Sequence, residues 1–237
     1  MRARRLTPVE RSAVEEAAIA VGAARVFLIE EPMAAALGAG LPVAEAVGSL
    51  VVDVGGGTSE VGVTALGELV VSHSLRIGGY DLDDAIVRLL QLQQRLLIGQ
   101  EQAEQVKLEI GSALPGPAER TTTVAGRDLT TGLLRRTTVE ADEVRRALAP
   151  LLTRIAEEVK TVLEETPPEL AADLSRNGLT LVGGGALLPG FDRFLHEQTS
   201  LDVIVDGDPL TTVARGAGQS LATLDLARRL PRRGRRR

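Results

Sequence analysis

One glycine-rich stretch carries the residue types that phosphate chemistry needs. Residues 50–63 read LVVDVGGGTSEVGV, in which an apolar run leads to Asp53, glycines follow, and Thr58 opens a second β-branched run. The glycines are Gly55, Gly56 and Gly57. Without a Cβ, backbone N–H groups can crowd around an anion. Asp53 repels phosphate but can hold Mg²⁺ through water, so the pattern favours a phosphate-binding hairpin over a purely structural turn.

A second glycine turn follows the apolar run LTLV at 179–182. A glycine turn between a buried strand and a helix allows close approach of a phosphate or a flat ligand. Its candidate binding residues are Gly184, Gly185, Ala186 and Leu187. Alone the signal is weak, and its occurrence with the first turn in one chain strengthens it.

Two further segments supply candidate polar groups. Glu104, Gln105, Val106 and Lys107 lie on a predicted helix, where Glu104 and Lys107 share a face; a surface ion pair is the alternative interpretation. Glu31 follows RVFLIE (25–30), a predicted strand, and ligands of α/β sheets bind at the carboxyl ends of strands. A carboxylate there could orient a water for attack on phosphate, or simply complement a helix N-terminus.

The periodicity of apolar residues predicts an α/β domain with a mixed sheet and helices on its faces. The predicted helices cover about 7–21, 32–40, 81–97, 101–110, 141–165, 169–175, 188–199 and 208–226. The predicted strands cover 25–30, 49–54, 60–65, 68–77, two or three strands within 119–138, 179–182 and 201–205.

Composition excludes several classes of site. Aromatic residues make up 2% of the 237 residues, too few for a platform that stacks nucleic-acid bases. With no cysteine there is no disulfide framework or thiolate metal site, and a cytoplasmic location is expected. Two distant histidines make a poor metal site, and no apolar run approaches the roughly 20 residues of a membrane span.

The charge is unevenly distributed along the chain. Residues 228–237 read RRLPRRGRRR, and removing these seven arginines from the net charge of −5 leaves −12 for residues 1–227. Proline and glycine in this tail favour disorder. It is either a solvated tail or a contact with anionic lipid or nucleic acid.

Six segments together resemble the MreB/Mbl family of bacterial actin homologues, from about residue 7 to about residue 225. They read LIEEPMAAALGAGLPV, VVDVGGGTSEVGV, SLRIGGYDLDDAI, EQVKLEIGSA, PPELAADLSRNGLTLVGGGALLPGFDRFL and DPLTTVARGAG. Heat-shock chaperone ATPases share only the EP-AAA and DxGGGT elements, and this sequence has no room for their peptide-binding domain.

The resemblance implies the α/β actin-like ATPase fold shared by actin, heat-shock chaperones and hexokinase, with ATP and Mg²⁺ as ligands. It also implies filaments, made with copies of itself or a full-length homologue, that direct cell-wall synthesis and cell shape. The implied partners are cell-wall synthesis and rod-complex membrane proteins and, peripherally, the anionic inner face of the cell membrane; no nucleic acid is expected.

By position, the resemblance makes Asp53 to Thr58 the second phosphate loop, with Asp53 holding Mg²⁺ through water. Glu31 then orients the hydrolytic water with help from Thr58. The segment Glu104 to Lys107 lies on the ribose side, and Gly184 to Leu187 forms the adenosine loop.

The family's first phosphate loop, DxGTxN, does not occur in this sequence. We therefore expect a fold incomplete at its N-terminus: a remainder of the first subdomain at 1–50, a second nucleotide-binding lobe at 51–225 with an insertion at about 100–140, and a basic tail at 226–237. Hydrolysis is expected to be slow or absent, because ATP needs donors from both sides of a cleft. Whether the chain is an ATPase stays open, and the alternative is a non-catalytic paralogue that modulates full-length filaments.

Overall fold

The computed structural model describes residues 7–116 and 120–229. The helices are α1 (Pro8–Ala20), α2 (Glu31–Gly38), α3 (Gly79–Gln94), α4 (Gln100–Ile110), α5 (Ala141–Glu165), α6 (Pro168–Asn177), α7 (Phe191–Thr199) and α8 (Thr212–Arg229). The strands are β1 (Ser49–Val54), β2 (Ser59–Ala65), β3 (Glu68–Leu75), β4 (Leu96–Leu97), β5 (Thr121–Asp128), β6 (Leu134–Glu140), β7 (Leu179–Val182) and β8 (Val203–Val205).

The larger sheet is mixed, with strand order β3-β2-β1-β7-β8. β1 pairs with β2 in an antiparallel hairpin and with β7 in parallel, where Asp53 lies opposite Val182. Because β1 and β7 run in parallel, their carboxyl ends lie side by side at one edge of the sheet. The two glycine turns of the sequence therefore begin next to each other.

Each face of this sheet is covered by helices. Alternate β1 residues such as Leu50 and Val52 join the main core, to which α3, α5 and α7 contribute. Val51, from the opposite face, packs with Val182 and with the alanines of α2. α2 lies against α8 so closely that a Cβ added to Gly216 would be 1.7 Å from the carbonyl oxygen of Ala34. This contact holds the middle and the end of α2 against α8.

A smaller sheet, with strand order β4-β5-β6, lies between α3 and α5 in the chain. Its strands fall within residues 96–140, which overlaps the insertion expected at about 100–140. The two strands β5 and β6 meet the expectation of two or three strands in that region. The division into 1–50, 51–225 and 226–237 stays a prediction, and most of the basic tail lies outside the described residues.

One predicted strand is wrong. Residues 25–30 form no strand, and none of the described strands pairs with them. β-branched and aromatic residues favour strands only where a neighbouring strand completes the hydrogen bonds. The other elements are confirmed with shifted ends; α7, for example, begins at Phe191, after Gly190 in the left-handed region at φ 76°.

Candidate functional site

The first glycine turn is a tight connection between β1 and β2. The N–H of Gly55 donates to the carbonyl oxygen of Thr58 at 2.9 Å, which closes the turn. Gly56 and Gly57 are exposed, while Asp53 at the end of β1 is only 4% exposed. The turn therefore presents bare backbone at the surface, with a buried carboxylate directly behind it.

The N-terminus of α3 is docked onto this turn. The N–H groups of Gly79 and Tyr80 donate to the carbonyl oxygens of Gly55 and Gly56 at 2.9 and 2.8 Å. A Cβ on Gly78 would lie 2.6 Å from the Gly56 carbonyl, so only glycine permits this approach. Helix α3 thus holds the turn in one conformation.

The second glycine turn packs against the first. After β7 the chain forms a 3₁₀ helix, Gly184–Leu187. Gly183 has φ +80°, and a Cβ there would lie 2.3 Å from Asp53 Oδ1; a Cβ on Gly185 would lie 2.3 Å from Val54 Cγ1. The two turns form one continuous glycine-lined edge, as the parallel pairing of β1 and β7 requires.

Three carboxylates near this edge act on one another electrostatically. Burial, and secondarily the charge of Glu31, raises the pKa of Asp53 from 3.8 to about 6. Glu60 lies opposite Asp53 on β2. Burial raises the pKa of Glu60 to about 7, and the charges of Glu31 and Asp53 add to this increase. The Ser74 hydroxyl, which donates a hydrogen bond to Glu60 at 2.6 Å, acts in the opposite direction and lowers the pKa. Glu31 itself is exposed at the first position of α2.

No described residue donates a hydrogen bond to the Asp53 carboxylate. A buried, unpaired carboxylate beside two other acids is stabilised by a cation. Within residues 7–116 and 120–229, no three His, Cys, Asp or Glu side chains are grouped closely enough to bind a metal directly. The single buried carboxylate is chemically compatible with a hydrated ion, and Mg²⁺ held at Asp53 through water stays a prediction.

The α4 segment reaches the site through Lys107. Its Nζ contacts Asp83 Oδ1 at 2.8 Å and donates to the carbonyl oxygen of Gly79 at 3.2 Å. Burial raises the pKa of Asp83, and Lys107 opposes that shift. The ion pair allowed by the spacing of Glu104 and Lys107 is replaced by this buried pair.

The predicted site residues thus divide into two groups. The two glycine turns, Asp53, Thr58 and Glu31 lie at one edge, and Lys107 touches it through α3. Glu104 and Gln105 are exposed on α4, whereas the side chain of Val106 is 2% exposed in the core. A cleft between α4 and the start of α5, lined by residues such as Ile110 and Arg145, shares no residue with this site.

Two residues of the site were missed in the sequence. Glu60 could have been found, because a hairpin closed between Gly55 and Thr58 places residue 60 opposite Asp53. Leu210 could not, because it comes from the loop after β8. A Cβ on Gly184 would lie 3.4 Å from Leu210 Cδ2, and Leu210 and Leu187 are 68% and 54% exposed, which leaves apolar side chains beside the second turn.

The sequence is similar to known proteins over most of its length. The sequence model of the MreB/Mbl protein family matches residues 3–229. The cell shape-determining protein MreB of Escherichia coli K12 is 52% identical over 220 residues, which are 93% of this chain and 63% of that protein. Mbl of Bacillus subtilis is 39% identical over 228 residues, or 96% of this chain and 68% of Mbl.

The fold is also similar to that of solved structures. MreB5 of Spiroplasma citri bound to ADP superposes with a TM-score of 0.92 at 35% identity, over 96% of this chain and 69% of that one. A double helical filament of MamK superposes with a TM-score of 0.75 at 22% identity, over 97% and 67% of the two chains, which is a likeness of fold.

The mixed sheet with paired glycine turns at one edge is therefore an actin-like fold. Within that class, the chain belongs to the MreB/Mbl family. It spans 63% of the length of its Escherichia coli relative.

Proposed function

We propose that this chain binds ATP with Mg²⁺ at the edge formed by the two glycine turns. The observation that carries the proposal is the buried, unpaired carboxylate of Asp53 between two turns of bare backbone. The exposed N–H-bearing turn suits an anion, and the carboxylate suits its counter-ion. The structures of MreB5 with ADP and with AMPPNP support a nucleotide as the ligand class.

Each residue has a proposed part. The backbone of Gly55 to Gly57 receives the phosphates, and Asp53 holds the hydrated Mg²⁺. When bound, the ion supplies positive charge that offsets the phosphate oxygens. Glu31 and the Thr58 hydroxyl are placed to orient a water at the phosphate end. Glu60, with a pKa of about 7, adds a second acid there that can exchange a proton near neutral pH.

The other two segments hold the nucleoside. Gly184 to Leu187 offer a glycine backbone and an apolar flank to the adenine, helped by Leu210. We assign the exposed Glu104 and Gln105 to the ribose side by resemblance to the family. Lys107 braces α3 through its contacts with Asp83 and Gly79.

At the level of the cell, we propose that the chain forms or joins actin-like filaments that direct cell-wall synthesis and cell shape. Its relatives are cell shape-determining proteins, and MamK, which shares the fold, forms a double helical filament. Rod-complex and cell-wall synthesis proteins are the proposed partners. The comparisons do not favour the alternative of a non-catalytic modulator.

A peripheral position at the inner face of the cell membrane is also part of the proposal. Among the described residues, no helix is both long and apolar enough to cross a membrane.

High-speed sedimentation tests the filament proposal. The wild-type chain is expected to pellet with Mg·ATP and to remain in the supernatant when EDTA replaces Mg²⁺. Gly57→Ala is the matched variant, since a Cβ at Gly57 meets nothing within 4 Å and leaves the fold intact while intruding on the proposed phosphate position. Pelleting that is unchanged by EDTA and by this substitution would contradict a nucleotide-dependent filament.

A further inference from the structure

The side chain of Tyr80 lies over the first glycine turn. Its backbone N–H donates to the carbonyl oxygen of Gly56 at 2.8 Å. A Cβ built on Gly56 would lie 3.0 Å from Tyr80 Cε2 and 3.3 Å from Cζ, the ring carbon that bears the hydroxyl. The hydroxyl end of the ring is therefore the end that covers the turn.

Neither packing nor internal hydrogen bonding explains this position. Tyr80 is 67% exposed, although it stands on the first turn of α3, whose apolar side chains Leu82 and Ile86 are buried. No described residue is hydrogen-bonded to its hydroxyl. The ring lies against Gly56, and a side chain at position 56 would push it away. Glycine at this position therefore permits both the conformation of the turn and the close contact with the ring.

Apart from the Thr58 hydroxyl, the described side chains around the turn offer few free donors. Asp53, Glu60 and Glu31 are acids, and Lys107 is already engaged by Asp83. A phenolic hydroxyl is a hydrogen-bond donor, and donation to an anionic oxygen is stronger than donation to a neutral one. Tyr80 thus places a phenolic donor beside the backbone of the turn.

We propose that Tyr80 is a phosphate-contact residue, whose hydroxyl donates a hydrogen bond to a phosphate oxygen of the nucleotide held at Gly55 to Gly57. This inference rests on the proposed nucleotide site and adds to it a residue from α3.

Calorimetric titration with Mg·ATP tests the contact. Tyr80→Phe keeps the ring and removes the hydroxyl, and we expect its affinity to be about tenfold weaker. Its thermal midpoint should match the wild type, because the hydroxyl has no partner among the described residues. Tyr80→Ala should weaken binding at least as much. An unchanged affinity in Tyr80→Phe, or tighter binding in Tyr80→Ala, would overturn the proposal.

The chain offers a second, direct readout. Tyr80 is its single tyrosine and there is no tryptophan, so fluorescence excited at wavelengths that tyrosine absorbs and phenylalanine does not comes from this side chain. Titration of the wild type with Mg·tripolyphosphate, which does not absorb where tyrosine does, should change the intensity in a saturable way; a flat response refutes the contact. If wild-type protein does not bind Mg·ATP, the nucleotide site itself fails, whereas equal binding by wild type and Tyr80→Phe removes only the contribution of Tyr80.

Discussion

Replacement of Asp53 by asparagine should stabilise the metal-free protein while damaging its site. The pKa of Asp53 is raised from 3.8 to about 6, so the folded state holds the carboxyl proton more tightly than the unfolded state does. The free energy of unfolding therefore falls as pH rises from about 4 to about 6 and stays low above that. The free energy of unfolding should therefore be about 3 kcal/mol larger at the acidic end of this range than at the alkaline end.

The asparagine side chain cannot ionise and escapes that loss. At pH 8 in EDTA, Asp53→Asn should be more stable than the wild type by up to about 3 kcal/mol, and the gain should shrink towards zero near pH 4. The substitution also removes one of the charges that raise the pKa of Glu60, which acts in the same direction. With Mg·ATP present, the order should reverse in favour of the wild type, since only the aspartate can hold the ion.

Urea unfolding followed by circular dichroism at both pH values measures this effect, provided that the slope with denaturant is the same for both proteins. Asp202→Asn is the matched control, because that side chain is 89% exposed and its replacement should change stability by less than about 0.5 kcal/mol. An Asp53→Asn protein that is less stable than the wild type at pH 8, or a gain that does not vary with pH, would show that the buried Asp53 carboxylate does not destabilise the metal-free fold.

Two further substitutions test how the site is supported. Lys107→Met should lower stability by about 3 kcal/mol, because it leaves the Asp83 carboxylate buried without its cation, and the double variant with Asp83→Asn should recover part of that loss in urea unfolding. Gly216→Ala should destabilise the fold by about 2 kcal/mol, because it forces α8 away from α2. Gly218→Ala, on the same helix, should be neutral or slightly stabilising, because a Cβ there meets nothing within 4 Å. Thermal unfolding distinguishes the two variants. Equal midpoints for the two glycine variants would show that the close α2–α8 packing is not required.

Local signals in the sequence predicted most of the elements. The Thr7–Glu10 capping box begins α1, with the Glu10 N–H donating to Thr7 Oγ1 at 3.3 Å. The apolar spacing of α5 predicted its bounds, since a 25-residue amphipathic helix is unambiguous. Residues 25–30 were predicted wrongly because their β-propensity is local, while strand pairing depends on the rest of the fold.

The candidate site was predictable only where one segment supplied it. The turn from Asp53 to Thr58 and the turn after β7 were readable as glycine patterns, and their adjacency followed once β1 and β7 proved parallel. The pairing of Lys107 with Asp83 and the ring of Tyr80 over Gly56 depend on how α3 and α4 cross the sheet edge. Such contacts between segments distant in sequence leave no local pattern to read.

The two glycine turns and Asp53 are proposed to form a nucleotide site. Calorimetric titration of the wild-type chain with ATP, with Mg²⁺ and then with EDTA, tests it most directly. We expect saturable binding of about one nucleotide per chain that weakens when Mg²⁺ is removed. No detectable heat up to millimolar Mg·ATP, or binding indifferent to Mg²⁺, would contradict it.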